Sequence, residues 1–562
     1  MRPNEPQPEV PASRPPVTGG AGPAPRQVSA GKPSGDRPSR SRPSGDRPSG
    51  NRSSQDPPPE KYEQELSRSL KVVGNMAIVV AAITPASSAF VIAAVVFAIS
   101  GSGAALAFAV AAVLGIAMAF CWAELGAAYP LAGGDYSFIA RTLGRASGFV
   151  SLVLTGPVQA ILIPAVIALG MAEYLETVFS ADANVIGAVV IAVSTVIAVF
   201  GIKFSALATG VLLLLELAAV ALVTVLGFVN AERPITELFN PQLFDADGTA
   251  TSLTAGALIA GVAVASFAYN GFQGAILFSE ETQGPARNIA RAVFGALVVA
   301  VLAELLPVAA ALLGSPSVAE LTTSDSPWQY FLTSIGGETF NTVISLGIAI
   351  AILNGVIALM PYFARILYSS GRDMVWPAPV SRALATVHPR YQTPWIATLI
   401  IGAAGTALIL VADVVTLTTW VGATVAIEYS LVATAAVVSR IRRRDLERPY
   451  RMPWWPLPPL VGLAISLLVL SEQTGRDLFI ATAIVGGALL YYAFYLRPRA
   501  ATHMLTLAPP DAGTDTGTGT EVGTDTGTGT DGGTDTGSGT GTDAGGAPAS
   551  APARSSEPGE RP

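Results

Sequence analysis

Cysteine occurs once in the 562 residues, at Cys121, and histidine twice, at His388 and His503. A single thiol excludes an internal disulfide and a cysteine metal cluster. His388 precedes a proline and His503 follows the last hydrophobic run. A histidine relay within a membrane and a multi-histidine metal centre are therefore excluded too. Charge is scarce: Asp, Glu, Lys and Arg make up 13% of the chain, roughly half of what a soluble globular protein carries. The first 60 residues hold no apolar run of the kind a cleavable signal peptide needs, so the first hydrophobic helix is expected to serve as the insertion signal. A phosphate-binding Gly-x-x-x-x-Gly-Lys-Ser/Thr loop is absent as well, which argues against an ATP-driven machine.

What remains is strongly apolar. Hydrophobic residues are 51% of the chain and mean hydropathy is +0.50. The apolar runs lie between about residues 72 and 497 and read as an all-α polytopic membrane protein. Twelve segments approach the roughly 20 residues a spanning helix needs: 73–99, 103–128, 147–178, 185–202, 206–230, 254–278, 289–314, 337–370, 394–411, 415–439, 455–471 and 477–496. With this alternation, Lys and Arg crowd one side, Arg141, Arg145, Arg365, Arg372, Arg440 and Arg448 among them, while the opposite loops hold Arg233 and Arg476. The positive-inside rule makes the crowded side cytoplasmic. Both termini are then inside, and the plasma membrane is the expected location. The transport domain is placed at 61–500. Residues 1–60, rich in Pro, Ser, Gly and Arg, and 501–562, with a Gly/Thr/Asp tract from 507, offer too little apolar surface to offset the entropy of ordering. Both are expected to be disordered cytoplasmic tails.

Two of the twelve runs are interrupted. AITPASSAFVI (81–91) puts Thr84, Pro85, Ser87 and Ser88 in the middle of the first, and VASFAYNGFQGAILF (264–278) puts Tyr269, Asn270, Gly271, Gln273 and Gly274 in the sixth. Each alone has an ordinary reading, as a tolerated proline kink or as glycines that let helices pack closely. Together they occupy equivalent positions in two halves of five spans each, 1–5 and 6–10. Paired interruptions of this kind point to the midplane binding site of a transporter built from inverted repeats. A broken helix exposes N–H groups where one half starts and carbonyls where the other stops. The first attract a carboxylate and the second an ammonium group, which suits a zwitterion.

Three acidic residues lie well inside spans: Glu216, Glu304 and Glu428. A charged carboxylate there is costly, so such groups are neutral, paired or facing a cavity, and are functional candidates by default. Structural carboxyls satisfied by hydrogen bonds are the alternative. At the cytoplasmic helix ends, Glu124, Asp135, Glu280, Glu281, Arg365, Arg372 and Asp373 could form ion pairs that favour one gating state. Residues that merely finish helix ends would look the same.

Three motifs in order carry a family resemblance: AELGAAYPLAGGDYSFIARTLG (123–144), FAYNGFQGAILFSEETQGPARNIARAV (267–293) and ARILYSSGRDMVWPAPVSRALATVHPRYQTPW (364–395). Over about 70–497 the chain resembles the amino acid–polyamine–organocation permeases. That resemblance implies a five-plus-five inverted repeat like that of the leucine transporter, with discontinuous helices 1 and 6 and two extra C-terminal helices. It implies substrate contacts at Thr84, Ala86, Ser87 and Ser88 on helix 1, and at Phe267, Ala268, Tyr269, Asn270 and Gly271 on helix 6, with Phe267 capping the substrate. Two positions depart from the pattern. The family's Gly-Phe-Glu reads Gly271-Phe272-Gln273, and glutamine cannot titrate. Where some proton-coupled relatives carry a helix-5 lysine, LLLLELAAV places Glu216.

The expectation is a secondary transporter, not an enzyme, that moves amino acids by alternating access, with H+ as coupling ion and Glu216, Glu428 and Glu304 as proton-carrying candidates. Sodium symport stays open, because hydroxyls such as Ser87 and Ser88 can ligate a cation. An amine or polyamine permease, an exchanger of the same fold and a nutrient sensor are the alternatives. Expected partners are a small-molecule amino acid or amine and the bilayer, with no metal, no organic cofactor and no nucleic acid.

Overall fold

The computed structural model describes residues 71–129, 134–178, 181–200, 206–245, 247–279, 282–283, 287–500 and 502–504. The expected tails, apart from 502–504, fall outside the described residues, as do Glu280 and Glu281. The first interrupted run folds as α1 (Val72–Ile83), α2 (Pro85–Ser87) and α3 (Ala93–Ser100). Next come α4 (Ala104–Ala128), α5 (Asp135–Leu143), α6 (Arg145–Val153), α7 (Gln159–Leu175), α8 (Ala183–Val199) and α9 (Ala206–Val229). After a hairpin of β1 (Gln242–Phe244) and β2 (Ala250–Ser252) follow α10 (Ala255–Ala268), α11 (Arg287–Gly314), α12 (Val318–Thr323) and α13 (Pro327–Arg372). The remaining helices are α14 (Ala378–Leu384), α15 (Trp395–Ile409), α16 (Val414–Arg442), α17 (Leu457–Ser471) and α18 (Gly475–Tyr491).

In hydrocarbon every backbone polar group must find a partner within the chain, which leaves the helix as the default for apolar runs. Eight helical stretches among the described residues are long and apolar enough to cross a membrane, and α8, α15 and α17 are shorter apolar helices. The outward faces suit lipid: Leu214 is 68% exposed and Phe479 74%. Inside, small residues let backbones approach. A Cβ on Gly314 of α11 would run into the backbone of Gly227 on α9, and one on Gly227 into the backbone of Ala310. The expected eighth span, 337–370, starts where the chain turns: α13 has a kink at Gly337, with φ 76° and ψ −179°, a conformation that glycine tolerates.

The hairpin was not legible in the sequence. β1 and β2 pair antiparallel with Leu243 opposite Thr251. The pair packs on the reversal between α3 and α4, where the Ser102 hydroxyl accepts from the Gln242 N–H at 2.8 Å. Gly101 there has φ +57°, and a Cβ on it would strike the Gln242 carbonyl.

Candidate functional site

The site begins with a backbone interruption. Thr84 closes α1 through an N–H to the Val80 carbonyl at 3.3 Å, then turns left-handed, φ 54° and ψ 66°. Pro85 has no N–H to lose at the first position of a new helix, and the chain winds on through a wide π turn, Ser88–Ile92, into α3. A left-handed β-branched residue is strained, and packing holds it: a Cβ on Gly355 of α13 would lie 2.6 Å from Thr84 Cγ2. The Ala86 N–H, freed by the interruption, donates to Glu216 Oε1 of α9 at 2.8 Å.

The second interruption follows α10. Tyr269 and Asn270 finish its last turn, Gly271 takes φ 124° and ψ −23°, and the chain resumes as a 3₁₀ turn, Phe272–Ile276. Gln273 clamps this corner. Its Oε1 accepts from the Gly271 N–H at 2.9 Å and its Nε2 donates to Asn270 Oδ1 at 2.7 Å. The two interruptions touch: a Cβ on Gly271 would sit 3.0 Å from Ile83 Cγ1. The Ser88 hydroxyl lies 3.2 Å from both the Ile83 and the Ala268 carbonyl oxygens. Asn75 Nδ2 adds a further tie, donating to the Ala275 carbonyl at 3.0 Å and to Thr282 Oγ1 at 2.9 Å.

A cavity of about 50 Å³ opens at this junction, room for a few waters. Of the expected contacts, Ser88, Phe267, Ala268, Asn270 and Gly271 line it, while Thr84, Ala86, Ser87 and Tyr269 do not. Ala86 faces Glu216 instead, and Tyr269 is buried with its hydroxyl donating to the Phe108 carbonyl at 3.2 Å. The buried hydroxyls of Thr84 and Ser87 have no hydrogen-bond partner. The other walls come from Thr155, Gln159, Ile163 and Ile167 of the third predicted span, from Leu359, Tyr362, Phe363 and Ile366 of α13, and from Asp135, Tyr136 and Gln273. The sequence did carry a signal for Thr155 and Gln159: LVLTGPVQAILIP (152–164) interrupts an apolar run much as TPASS does. Pro157 there sits in a π turn, Leu154–Val158.

The cavity is sealed unequally. Toward the end where α13 starts, Trp328 packs against Phe90 with ring centroids 4.9 Å apart, against Phe97 at 5.7 Å and against Phe331 at 6.1 Å. All four rings are fully buried. Toward the end where α13 stops, a vestibule of about 270 Å³, with Arg365, Ser369, Arg372 and Gln392 on its walls, shares Tyr136, Leu277, Tyr362 and Ile366 with the site cavity. Those four side chains are the partition between the two spaces.

None of the three intramembrane acids lines the cavity. Glu216 and Glu428 each use one oxygen, the first for Ala86 and the second for the Ser151 hydroxyl at 2.8 Å, and keep the other without a partner. Glu304 of α11 is completely buried and neither of its oxygens has a hydrogen-bond partner.

The gating candidates divide. Asp135 lines the cavity and accepts from the Trp122 indole N–H at 3.0 Å. Arg365 lies over the Phe278 ring, 5.1 Å from its centroid, and with Arg372 lines the vestibule. Tyr136 joins this group, its hydroxyl donating to Asp373 Oδ2 at 3.2 Å. Glu124 is elsewhere: it accepts from Arg440 Nε at 2.7 Å and from the Met452 N–H at 2.7 Å, and pairs with Arg448 Nε at 3.2 Å. The structure therefore brings Asp135, Arg365 and Arg372 to the cavity and its vestibule, and ties Glu124 to the end of α16. Glu280 lies outside the described residues.

Comparison with known proteins matches residues 70–492 to the model of a family described as amino acid permease. The methylthioribose transporter of Bacillus subtilis (strain 168) is 25% identical over 420 residues, covering 70% of this chain and 87% of its own. The branched-chain amino acid permease BcaP of the same organism is 23% identical over 390 residues, 65% of this chain and 79% of its own. Its serine/threonine exchanger SteT is 26% identical over 382 residues, 66% and 83% respectively.

Proposed function

Since the chain belongs to the amino acid permease family, and is a multi-pass membrane transporter rather than an enzyme, we propose that it carries a neutral amino acid across the plasma membrane by alternating access, in symport with protons. The observation that carries this reading is the junction of Ile83, Ser88, Ala268 and Gly271, where two interrupted helices meet at a cavity. The stopped halves turn the Ile83 and Ala268 carbonyls to that junction, which favours an ammonium group, and the positive ends of the resumed halves favour a carboxylate. Ile163, Ile167, Phe267, Leu359 and Phe363 leave an apolar wall for the side chain.

The architecture proposed with it has twelve spans. Val72–Ala128 counts as two because the chain reverses at Gly101–Gly103, and α8, α15 and α17 count as short ones. The first ten form the inverted repeat, with helices 1 and 6 discontinuous and the last two added. Both termini are placed in the cytoplasm on the distribution of Lys and Arg. Glu216 is the leading proton carrier, because its carboxyl holds the N–H that the first interruption sets free. Exchange is the second reading, supported by one feature: Gln273, which cannot titrate, is committed to clamping the second interruption.

Uptake of radiolabelled amino acids and amines into proteoliposomes, with and without an inward proton gradient, tests the reading. Stimulation of one neutral amino acid by the gradient supports symport. A requirement for internal substrate, with no response to the gradient, replaces symport by exchange. Uptake of amines but not zwitterions overturns the substrate assignment.

A further inference from the structure

On the far side of α7 from the cavity lies a crevice of about 200 Å³ between α7, α16 and α18. Val158 and Ile161 wall it on α7, Trp420 and Ala423 on α16, and Ile480 and Ile484 on α18. Val158 ends the π turn that contains Pro157, and the next residue, Gln159, lines the site cavity. The helix is therefore the wall between the two spaces.

The polar groups around the crevice restrict what can fill it. Asp477 accepts from the Trp420 indole N–H at 2.9 Å through one oxygen and from the Thr474 hydroxyl at 2.6 Å through the other. The Thr424 hydroxyl donates to the Val421 carbonyl at 2.8 Å. Every polar side chain on the walls thus has its partner within the protein. An ordered water needs several polar partners, so a hollow lined this way suits hydrocarbon. Val158, Ile161, Ile480 and Ile484 are only half-buried, which leaves the crevice open toward lipid. From Asp477 to Ile484 it follows α18 for about 10 Å, a depth that stays within one leaflet of a hydrocarbon core roughly 30 Å thick.

The mouth carries a positive charge. Arg476 is exposed, and its guanidinium lies 5.8 Å from the centroid of the Trp420 ring. Among the described residues its side chain has no hydrogen bond and no ion pair. Arg233, the other basic residue of these loops, is engaged: it donates to the Pro316 carbonyl at 2.9 Å and pairs with Glu237 at 3.5 Å. An indole at the membrane interface, with an unpaired guanidinium above it, suits a phosphate headgroup. A helix of a second copy, about 10–12 Å across with its side chains, is too thick for a crevice of this volume, whereas an acyl chain is a single file of methylenes.

We propose that one acyl chain of a membrane phospholipid occupies this crevice, with its phosphate held by Arg476. Bound there, the chain backs α7 at the π turn whose other face lines the cavity. The lipid site rests on the chain's spanning a membrane and not on the transport reading.

The test uses the full-length protein purified in detergent and offered radiolabelled dioleoylphosphatidylglycerol, or dioleoylglycerol with the same chains and no phosphate. Lipid retained through gel filtration is counted. The expected result is saturable retention of a single phospholipid per chain, with the diacylglycerol retained several-fold less. Ala423→Phe and Ile484→Trp, which fill the crevice from α16 and from α18, should each reduce phospholipid retention several-fold. Should Ala423→Phe fail to fold, Ile484→Trp, at a half-buried position, decides the matter alone. Arg476→Gln should lower phospholipid retention to the level of the diacylglycerol and leave the latter unchanged. No retention, or retention undiminished by filling the crevice, overturns the site. Equal retention of the two lipids by the wild type overturns the role of Arg476. A dimer that holds no lipid and that Ile484→Trp converts to monomer gives the crevice to a second copy, which also overturns the proposal. Retention needs no transport activity, so uptake measured separately reports on the transporter reading by itself.

Discussion

Glu216 Oε1 accepts a hydrogen bond from the backbone N–H of Ala86 at 2.8 Å, joining α9 to the helix restarted by Pro85. The bond has two parts that substitution can separate, an acceptor and a titratable proton. Glutamine keeps the first and loses the second. Glu216→Gln is expected to fold, and to lose the stimulation of uptake by an inward proton gradient while keeping counterflow of substrate. Glu216→Leu leaves the Ala86 N–H buried without a partner, which costs about 1–3 kcal/mol. Counterflow that is lost equally in both variants would mean the carboxyl has a structural role alone.

The left-handed turn at Thr84 depends on a residue far away in sequence. Gly355 leaves space that Thr84 Cβ and Cγ2 fill, at 2.9 and 2.6 Å from where a Cβ would be. Gly355→Ala overpacks this contact, and overpacking typically costs about 1–3 kcal/mol. A lower Tm is expected, with substrate uptake reduced more than the amount of folded protein. If Gly355→Ala unfolds at the wild-type temperature, the interruption is not held by this packing.

How much of this was legible in the sequence depends on how local each cause is. The stop at Ile83 is local, because Pro85 lacks an N–H and fits the start of a helix, so TPASS announces it. Gln273 was legible as a departure from the family pattern, but its clamp on Asn270 and Gly271 was not, since it depends on the positive φ of Gly271. The role of Ser88 needs the Ala268 carbonyl, which lies 180 residues away, and no periodicity encodes that meeting. The cavity walls on α13 were hidden for a plainer reason. Leu359, Tyr362, Phe363 and Ile366 look like any apolar helix face until something packs against them.

Glu124 illustrates the same limit at a helix end. Its chemistry was legible but its partners were not, because Arg440 and Arg448 come from the far end of α16 and the segment after it. The side chain of Glu124 is 3% exposed and that of Arg448 7%, so the pair is screened little by solvent. Removing one member of a buried pair leaves the other charge uncompensated, at a cost of about 3–5 kcal/mol. Glu124→Ala is expected to lower Tm steeply, and Arg448→Met with Glu124→Leu to recover part of the loss. A double variant no more stable than the single ones would show that the Arg440 pair and the Met452 N–H bond, not the Arg448 pair, are what matter at this site.

The scarcity of cysteine makes the unequal sealing of the cavity measurable. Cys121, the single thiol, is buried and fully covered, so a thiol-reactive cation should leave the wild-type protein unlabelled. Gln159→Cys places a reporter in the cavity wall. The vestibule bounded by Arg365 and Arg372 approaches that wall to within the partition of Tyr136, Leu277, Tyr362 and Ile366, whereas the rings of Phe90, Phe97, Trp328 and Phe331 close the other end. Reagent confined to the side of Arg365 and Arg372 should therefore label Gln159→Cys faster than reagent confined to the opposite side, and substrate should slow both. Adding Trp328→Ala removes the ring that contacts the other three aromatics and should raise labelling from the opposite side at least several-fold. Equal rates from both sides before that change, or no response to it, would show that the aromatic cluster is packing rather than a seal.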